Sequence, residues 1–558
     1  MNYHGLKPYG AVPSENQAEW YKREKMAFFH FGVNTYTDRE WGDGTEDPSV
    51  FNPTKLDCRS WIRTVKEAGF TTAVITAKHH DGFCLWQSKY TEHSVKNSPY
   101  KGGKGDIVRE FTDACREYGV KAGIYLSPWD RNYPDWGTEK YNEYYKLQLE
   151  ELFGNYGEIH ECWWDGAGSD KAVYDWGLWA YTVKRLQPNC VVFGPYTLCH
   201  PDYIDTRWVG NEAGFAGEPC YATINLTADK ASVKHILNHG VRDGEIFMPA
   251  EVDVSIRPGW FYHENQRSDV RKPSNLVQLW FDSVGSNCNL LLNIPPNKEG
   301  LLDSEDSQSL LEAEKILKQT FAFNLLCGSK ITADKAREGC SAALVTGKGG
   351  FYAPEDGNFC PTMEFDLGKE TEFDCVSVSE VIELGHRVRG FVISAYSGGK
   401  WTELLRSECI GNRFARHFEP VTASKIRLEI TDAACVPAIS EFGIYKMPFD
   451  VFADIYAVSK NKNLLENPSS SVETGETETV IDLGGIYPFN TVTFNGDGIW
   501  NYEIMAFDGQ EYYKIFEGTK PDRNAICRFE TVKDAYKLKI VYGDLRPVNL
   551  DVKVYNME

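Results

Sequence analysis

Carboxyl-bearing residues recur where short apolar runs stop. Trp163-Trp164-Asp165-Gly166 ends one run, Gly210-Asn211-Glu212 follows another, and Glu251 and Asp253 sit in a third. Imidazoles and phenols mark other run ends: His30-Phe31-Gly32, Lys78-His79-His80-Asp81-Gly82, and Tyr125 just ahead of Ser127-Pro128-Trp129. Two carboxyls on separate loops, with indoles and imidazoles around them, suit cleavage of a glycosidic bond, which needs a carboxyl on either side of the anomeric carbon. Asp165 before Gly166 also fits an ordinary Asp-Gly turn. The two indoles directly before it favour a chemical role, because they offer a wall and a lowered local dielectric. Glu212 follows a strand and lies on a different loop from Asp165; Glu251 and Glu218 compete with it as the second carboxyl. His79-His80-Asp81 invites a metal reading. Neighbouring strand residues point to opposite faces, so adjacent histidines chelate one ion poorly. Neither H-x-H nor H-E-x-x-H spacing supports one, so no metal is expected and hydrogen bonding to sugar hydroxyls is preferred. No G-x-S-x-G, P-loop or G-x-G-x-x-G element follows a strand, which leaves serine-hydrolase, kinase and dinucleotide chemistry without a site.

These run ends need a frame that gathers them. Candidate strands fall at 26–33, 71–78, 121–127, 159–164, 190–194, 204–209, 245–252 and 289–294, with helical patterns at 59–68, 105–118, 140–153, 172–186 and 273–284. Gly69 and Gly119 each close a helix where a left-handed residue is wanted, and a strand follows at once. Repeated β-then-α implies a parallel sheet, and about eight units imply a (β/α)8-like barrel, with room for distortion where no clear helix follows the sixth strand. Active sites of such barrels form at the C-terminal strand ends, where the carboxyls, imidazoles and indoles are found.

Beyond about residue 325 period-two strands separated by Gly, Asp and Asn turns take over. Asp366-Leu367-Gly368 recurs as Asp482-Leu483-Gly484, Ser397-Gly398-Gly399-Lys400-Trp401 as Asp508-Gly509-Gln510-Glu511-Tyr512, and Lys425-Ile426-Arg427-Leu428 as Lys537-Leu538-Lys539-Ile540. Three elements repeating in one order point to two all-β sandwich domains after the barrel. The expected layout is a catalytic barrel over 1–327 and sandwiches over 328–447 and 448–558.

Composition narrows the partners. The 558 residues exceed one hydrophobic core. A formal net charge of −21 disfavours nucleic acid and other polyanions. The 15 Trp, 30 Tyr and 30 Phe suit a sugar binder, though taken alone aromatic richness favours simple core packing. The 15 cysteines are scattered without a C-x-x-C pair, and Cys58, Cys84, Cys115, Cys162 and Cys288 read as buried free thiols. No apolar run reaches membrane-span length and the N-terminus carries no apolar signal core, so no membrane association is expected. The expected location is cytoplasmic, or secreted or periplasmic if a signal peptide has been removed.

Several of these segments together resemble glycoside hydrolase family 29, the α-L-fucosidases. The likeness runs through most of residues 8–300. It includes Ala27-Phe28-Phe29-His30-Phe31-Gly32, Glu40-Trp41, Ala77-Lys78-His79-His80-Asp81-Gly82-Phe83, Trp163-Trp164-Asp165-Gly166 and Asn289-Leu290-Leu291-Leu292-Asn293-Ile294. The segment Asn293-Ile294-Pro295-Pro296-Asn297 departs from the family's usual Gly-Pro, a loop difference that touches no role. The resemblance implies a retaining exo-α-L-fucosidase without cofactor, with Asp165 as nucleophile. It implies that His30, Glu40, Trp41, His79, His80, Tyr125 and Trp163 contact the fucose hydroxyls or line the pocket, and that Trp260 packs on the sugar's methyl group. Trp208-Val209-Gly210-Asn211-Glu212-Ala213-Gly214 resembles the branch that cleaves α-1,3 and α-1,4 fucose from Lewis-type glycans, where the matching glutamate, here Glu212, is the acid/base. The tail resembles discoidin-type carbohydrate-binding modules. A transfucosidase and an inert fucose-binding lectin are the alternatives.

Overall fold

The computed structural model describes residues 2–168, 172–195, 201–226, 229–347, 349–448, 451–496, 499–519, 524–533, 535–542, 547 and 550–557. Its first strands are β1 (Lys25–Phe29), β2 (Thr72–Lys78), β3 (Lys121–Leu126), β4 (Glu161–Trp163), β5 (Val191–Gly194), β6 (Thr206–Trp208), β7 (Thr223–Ile224), β8 (Ile246–Phe247), β9 (Ala250–Ser255) and β10 (Asn289–Asn293). All but β7 and β8 close a parallel barrel in the order β1-β10-β9-β6-β5-β4-β3-β2. Side chains alternate as the strand period requires. Met26 and Phe28 of β1 point into the barrel with Val74, Tyr125, Trp163, Phe193 and Leu291. Phe29 points outward, 5.4 Å from the ring of Trp61 and 6.0 Å from that of Phe111.

Local signals set the surrounding helices. Helix Cys58–Glu67 starts where the Asp57 side chain accepts from Ser60 N, and it buries Trp61, Ile62 and Val65. Helix Ile107–Tyr118 starts on Asp106 and ends at Gly119, whose φ of +66° is the left-handed value that spares glycine a Cβ clash. Trp61 is fully buried between helix and barrel, and its loss would cost about 3–5 kcal/mol.

One strand differs from the sequence expectation. The run 245–252 splits at Pro249: Ile246–Phe247 pairs antiparallel with Thr223–Ile224, and the barrel strand begins only at Ala250. Proline has no N–H for a ladder, so Pro249 contributes only its carbonyl, accepting from Arg207 N at 3.0 Å. The distortion expected after the sixth strand lies here. From Trp208 the chain runs irregularly to β7, then through helix Lys230–His239 and β8 before regaining the barrel.

The tail strands are β11 (Lys330–Ala333), β12 (Thr362–Glu380), β13 (Val388–Ser397), β14 (Lys400–Ser407), β15 (Phe414–Ala433), β16 (Ile439–Tyr445), β17 (Ser471–Thr474), β18 (Glu478–Asp482), β19 (Phe489–Asn495), β20 (Asn501–Phe507), β21 (Tyr512–Thr519), β22 (Asn524–Val532), β23 (Lys537–Tyr542) and β24 (Val552–Tyr555). The first set is ordered β11-β12-β15-β13-β14, with β16 also on β12; the second is β17-β18-β23-β20-β21 beside β22-β19-β24. The layouts correspond strand for strand once the long β12 and β15 are divided in two. The repeated residues correspond as well. Asp366 faces Lys425 across one pair of strands and Asp482 faces Lys537 across the other. Arg427 lies 4.0 Å over the Trp401 ring and Lys539 4.6 Å over that of Tyr512.

The chain forms two compact units, Met1–Asn265 with Val277–Pro448, and Gln266–Leu276 with Phe449–Glu558. In the first, the sandwich backs onto the barrel through Ala415 N to Gly285 O at 2.9 Å and Asn287 N to Arg413 O at 3.0 Å. In the second, Arg271 from the inserted segment lies 5.1 Å over the Trp500 ring. Among the described residues no helix is long and apolar enough to cross a membrane.

Candidate active site

Asp165 follows β4 by two residues at the C-terminal mouth of the barrel. Its oxygens are fixed by two donors: the Tyr125 hydroxyl at 3.0 Å to Oδ2 and the Ala167 N–H at 2.8 Å to Oδ1. Burial first, and then the charge of Asp165, push the Tyr125 phenol well above its ordinary range, so it stays a neutral donor. His80 Nε2 lies 3.7 Å from the same Oδ2.

The three histidines are neutral, and two of them, His30 and His80, keep Nε2 as an acceptor. His30 continues β1, and its Nδ1 meets Asn293 Oδ1 at 2.9 Å. An amide oxygen only accepts, so Nδ1 carries the proton and Nε2 is the free acceptor. Asn293, the last residue of β10, also donates to Ser255 Oγ at 2.9 Å and Trp260 O at 2.7 Å, tying three strand ends together. His80 Nδ1 meets Ser127 Oγ at 2.7 Å, and Ser127 donates onward to Trp129 O at 2.7 Å. That chain again leaves Nε2 as acceptor. Desolvation is the leading cause in each case: it lowers His30 to about 3, and His79 and His80 below the ordinary imidazole range.

His79 and His80 do not alternate as residues of one strand would. β2 ends at Lys78, so both histidines lie past the pleat, and their rings are neighbours at 4.1 Å rather than on opposite faces. His79 also stacks toward Tyr125 at 5.8 Å.

Glu212 stands in the loop after β6. Trp260 Nε1 donates to its Oε2 at 3.2 Å. The carboxyl is held above the ordinary glutamate range, first by desolvation in the cleft and then by the negative charge of Asp165. By area the residue is nevertheless exposed. Water therefore weakens the desolvation part while the cleft is open, and the push from Asp165 is the part that needs no bound sugar. Trp260 lies 5.1 Å from His30, ring to ring, which carries the wall from Glu212 back toward the Asp165 side.

Glu40 is built into the same wall. It accepts from Trp260 N at 2.8 Å and from Phe261 N at 3.3 Å, and it meets His263 Nε2 at 2.6 Å. Trp41 is 55 % exposed, edge-on to His80 at 5.7 Å and Trp129 at 5.5 Å, an indole face presented at the rim. Trp163 points inward beneath the site. It stacks on Tyr125 at 5.4 Å and on Phe193 at 4.1 Å, and it donates to Glu251 Oε1 at 2.8 Å.

The rival carboxyls fall elsewhere. Glu251 is fully buried below Trp163, and among the described residues its Oε2 has no hydrogen-bond partner. Burial and the charge of Glu161 push Glu251 well up. Glu218 pairs with Arg416 of the first sandwich at 2.7 Å. Sequence reasoning named Asn293, Trp129 and Asp253 without giving any of them a role, and passed over His263. Asn293 and Asp253 carried a usable signal, a polar residue within a fully buried strand rich in Leu or Val. Asp253 is buried, accepts from Trp208 Nε1 at 2.7 Å, and is pushed well up by burial and then by Glu212. Nothing in sequence spacing pairs His263 with Glu40.

A parallel barrel with two carboxyls at its C-terminal mouth, walled by indoles and neutral imidazoles, defines a glycoside hydrolase. The family model for alpha-L-fucosidase matches residues 8–320. Alpha-L-fucosidase 1 of Arabidopsis thaliana is 37 % identical over 467 residues, spanning 80 % of this chain and 90 % of that one. A glycoside hydrolase 29 family member from an unknown rumen bacterium is 34 % identical, with a TM-score of 0.75 over 99 % of this chain and 100 % of its own. A Ruminococcus gnavus GH29 fucosidase solved in complex with fucose is 33 % identical, with a TM-score of 0.73 over 81 % of this chain and 98 % of its own. The chain belongs to the alpha-L-fucosidase family and is a glycoside hydrolase.

Proposed function

We propose that the enzyme is a retaining exo-α-L-fucosidase that removes terminal α-1,3- or α-1,4-linked L-fucose from Lewis-type oligosaccharides or glycoconjugates. Asp165 attacks the anomeric carbon while Glu212 protonates the departing oxygen. Glu212 then takes a proton from water as that water releases fucose from Asp165. The observation that carries this reading is the unequal treatment of the two carboxyls. Asp165 is oriented by Tyr125 and the Ala167 N–H, whereas Glu212 is pushed toward its protonated form partly by Asp165 itself. Fucose hydroxyls donate to the free Nε2 atoms of His30 and His80, Glu40 accepts from another, and Trp260 lies against the methyl group.

Proton NMR of the first product formed from a fucosylated Lewis trisaccharide tests the mechanism: α-L-fucose must appear before mutarotation. Initial β-fucose would mean inversion and remove Asp165 as nucleophile. The linkage reading rests on the segment Trp208–Gly214. It requires kcat/KM on the Lewis trisaccharide to exceed that on 2′-fucosyllactose; equal values would leave a fucosidase without that preference.

A further inference from the structure

Three cysteines far apart in sequence meet beneath the barrel, at its contact with the first sandwich. Cys220 Sγ and Cys288 Sγ are 3.5 Å apart, and Cys409 Sγ contacts the Cys220 carbonyl at 3.4 Å. All three are buried. His386 Nδ1 stands 3.8 Å from Cys409 Sγ, which suggests a metal cage at first sight. Its Nε2 accepts from Ala222 N at 2.9 Å, however, so Nδ1 keeps its proton and offers a metal no lone pair. Among the described residues no three such groups converge on a metal position.

Arg207 gives the cluster its chemistry. It is fully buried, and its guanidinium donates to the carbonyls of Leu237, Met248 and Tyr221. Among the described residues no carboxylate pairs with it. Among the described residues, the ionisable side chain that its guanidinium reaches is Cys220, with Sγ 3.7 Å from Nη2. A buried cation without a counter-ion favours ionisation of a neighbouring thiol. The S–H of Cys288 and then Arg207 hold the Cys220 thiol below its ordinary range against the opposing effect of burial, while burial raises Cys288. Cys220 is thus the nucleophile of the pair and Cys288 the donor. A narrow cleft of about 10 Å³, room for little more than one water-sized molecule and partly open to solvent, is lined by Cys220, Cys409, Asn287, Glu218, Arg413 and Arg416 and gives a molecule of that size an approach.

We propose that Cys220 and Cys288 form an oxidisable dithiol that hydrogen peroxide converts to a disulfide. The Cys220 thiolate attacks one peroxide oxygen, the O–O bond breaks, and the departing hydroxide takes a proton to become water. Cys220 is then a sulfenic acid. The Cys288 sulfur displaces hydroxide from it, the S–O bond breaks, the S–S bond forms, and the Cys288 proton leaves with that hydroxide as a second water. Two thiols lose two electrons in total and one peroxide is reduced. The bond joins the segment that follows Glu212 to the residue preceding β10, whose last residue, Asn293, holds His30.

The test uses the full-length protein at low peroxide, followed by alkylation and peptide mapping. The exposed Cys327 and Cys360 serve as internal references. A Cys220–Cys288 cross-linked peptide, about 2 Da lighter than the two reduced peptides together, is expected before either exposed thiol is modified. Dithiothreitol reverses it, and the oxidised protein melts at higher temperature than the reduced. In C288S the sulfenic acid has no resolving thiol, so a 1,3-dione reagent should label Cys220. The proposal is overturned if Cys220 and Cys288 remain reduced at doses that oxidise Cys327 and Cys360, or if Cys220 is bridged to a different cysteine.

Discussion

Trp260→Phe separates the indole's hydrogen bond from its role as a wall. Phenylalanine keeps an aromatic face against the sugar and leaves the backbone contacts of residue 260 with Glu40 and Asn293 in place. It removes only the Nε1 donor, 3.2 Å from Glu212 Oε2. That donor stabilises the ionised carboxylate, so its removal raises the pKa of Glu212. A hydrogen bond to a sequestered charge is worth roughly 1.5–3 kcal/mol. Here the distance is long and the residue is exposed, which brings the figure down to about 0.5–1 kcal/mol. At about 1.4 kcal/mol per pH unit this is a rise of roughly 0.4–0.7 unit. The alkaline limb of kcat/KM for an oligosaccharide reports loss of the acid's proton, so it should move to higher pH by that amount. An aryl fucoside whose phenolate leaves without protonation should show no matching shift. An oligosaccharide limb that stays in place or moves to lower pH would refute the assignment of Glu212 as acid or of Trp260 as its donor.

Asp165→Ala should slow every substrate severely, with azide restoring part of the turnover. Glu212→Ala should slow an oligosaccharide by about 10²–10⁴-fold yet give a burst with a chloronitrophenyl fucoside; wild-type behaviour on both would exclude Glu212. His263 is raised above its ordinary range, first by Glu40 and then by Asp38, so its ion pairs with them are complete below the unfolded value of ~6.5 and are lost as pH rises through the folded value. KM should therefore climb on the alkaline side in the wild type and stay flat in His263→Gln; parallel profiles would count against the Glu40 clamp. Glu251 is pushed up, so the folded state keeps a proton that the unfolded state releases, and stability falls as pH rises from ~4.3 toward the folded value. Glu251→Gln should flatten that part of the curve of Tm against pH, whereas Glu251→Ala should cost about 2–4 kcal/mol by leaving a cavity and an unpaired Trp163 indole; an unchanged slope in Glu251→Gln would show that the folded state holds no extra proton there.

The amino-acid sequence determined what is local and periodic. Apolar runs closed by Gly69 and Gly119 set strands and helices, because each helix ends where only a left-handed residue lets the chain turn back. The recurrence of Asp366 and Lys425 as Asp482 and Lys537 set the repeat, because a facing pair in one sheet must recur as a facing pair in the other. Tertiary structure decided what depends on chain geometry at run ends and on distant partners. Chelation by His79 and His80 is disfavoured on the sequence because they count as alternating strand residues, but β2 ends at Lys78, as the apolar run does, so both rings turn to the same site. The sequence marks 245–252 as one apolar run, but Pro249 cannot join the ladder, and the barrel strand starts only at Ala250. In the sequence Glu212 is preferred by its segment, with Glu218 and Glu251 left as competitors. Folding gives them different surroundings, placing one beside the Trp260 indole, one against Arg416 and one under Trp163, because burial and neighbouring charge come from segments that sequence distance does not connect.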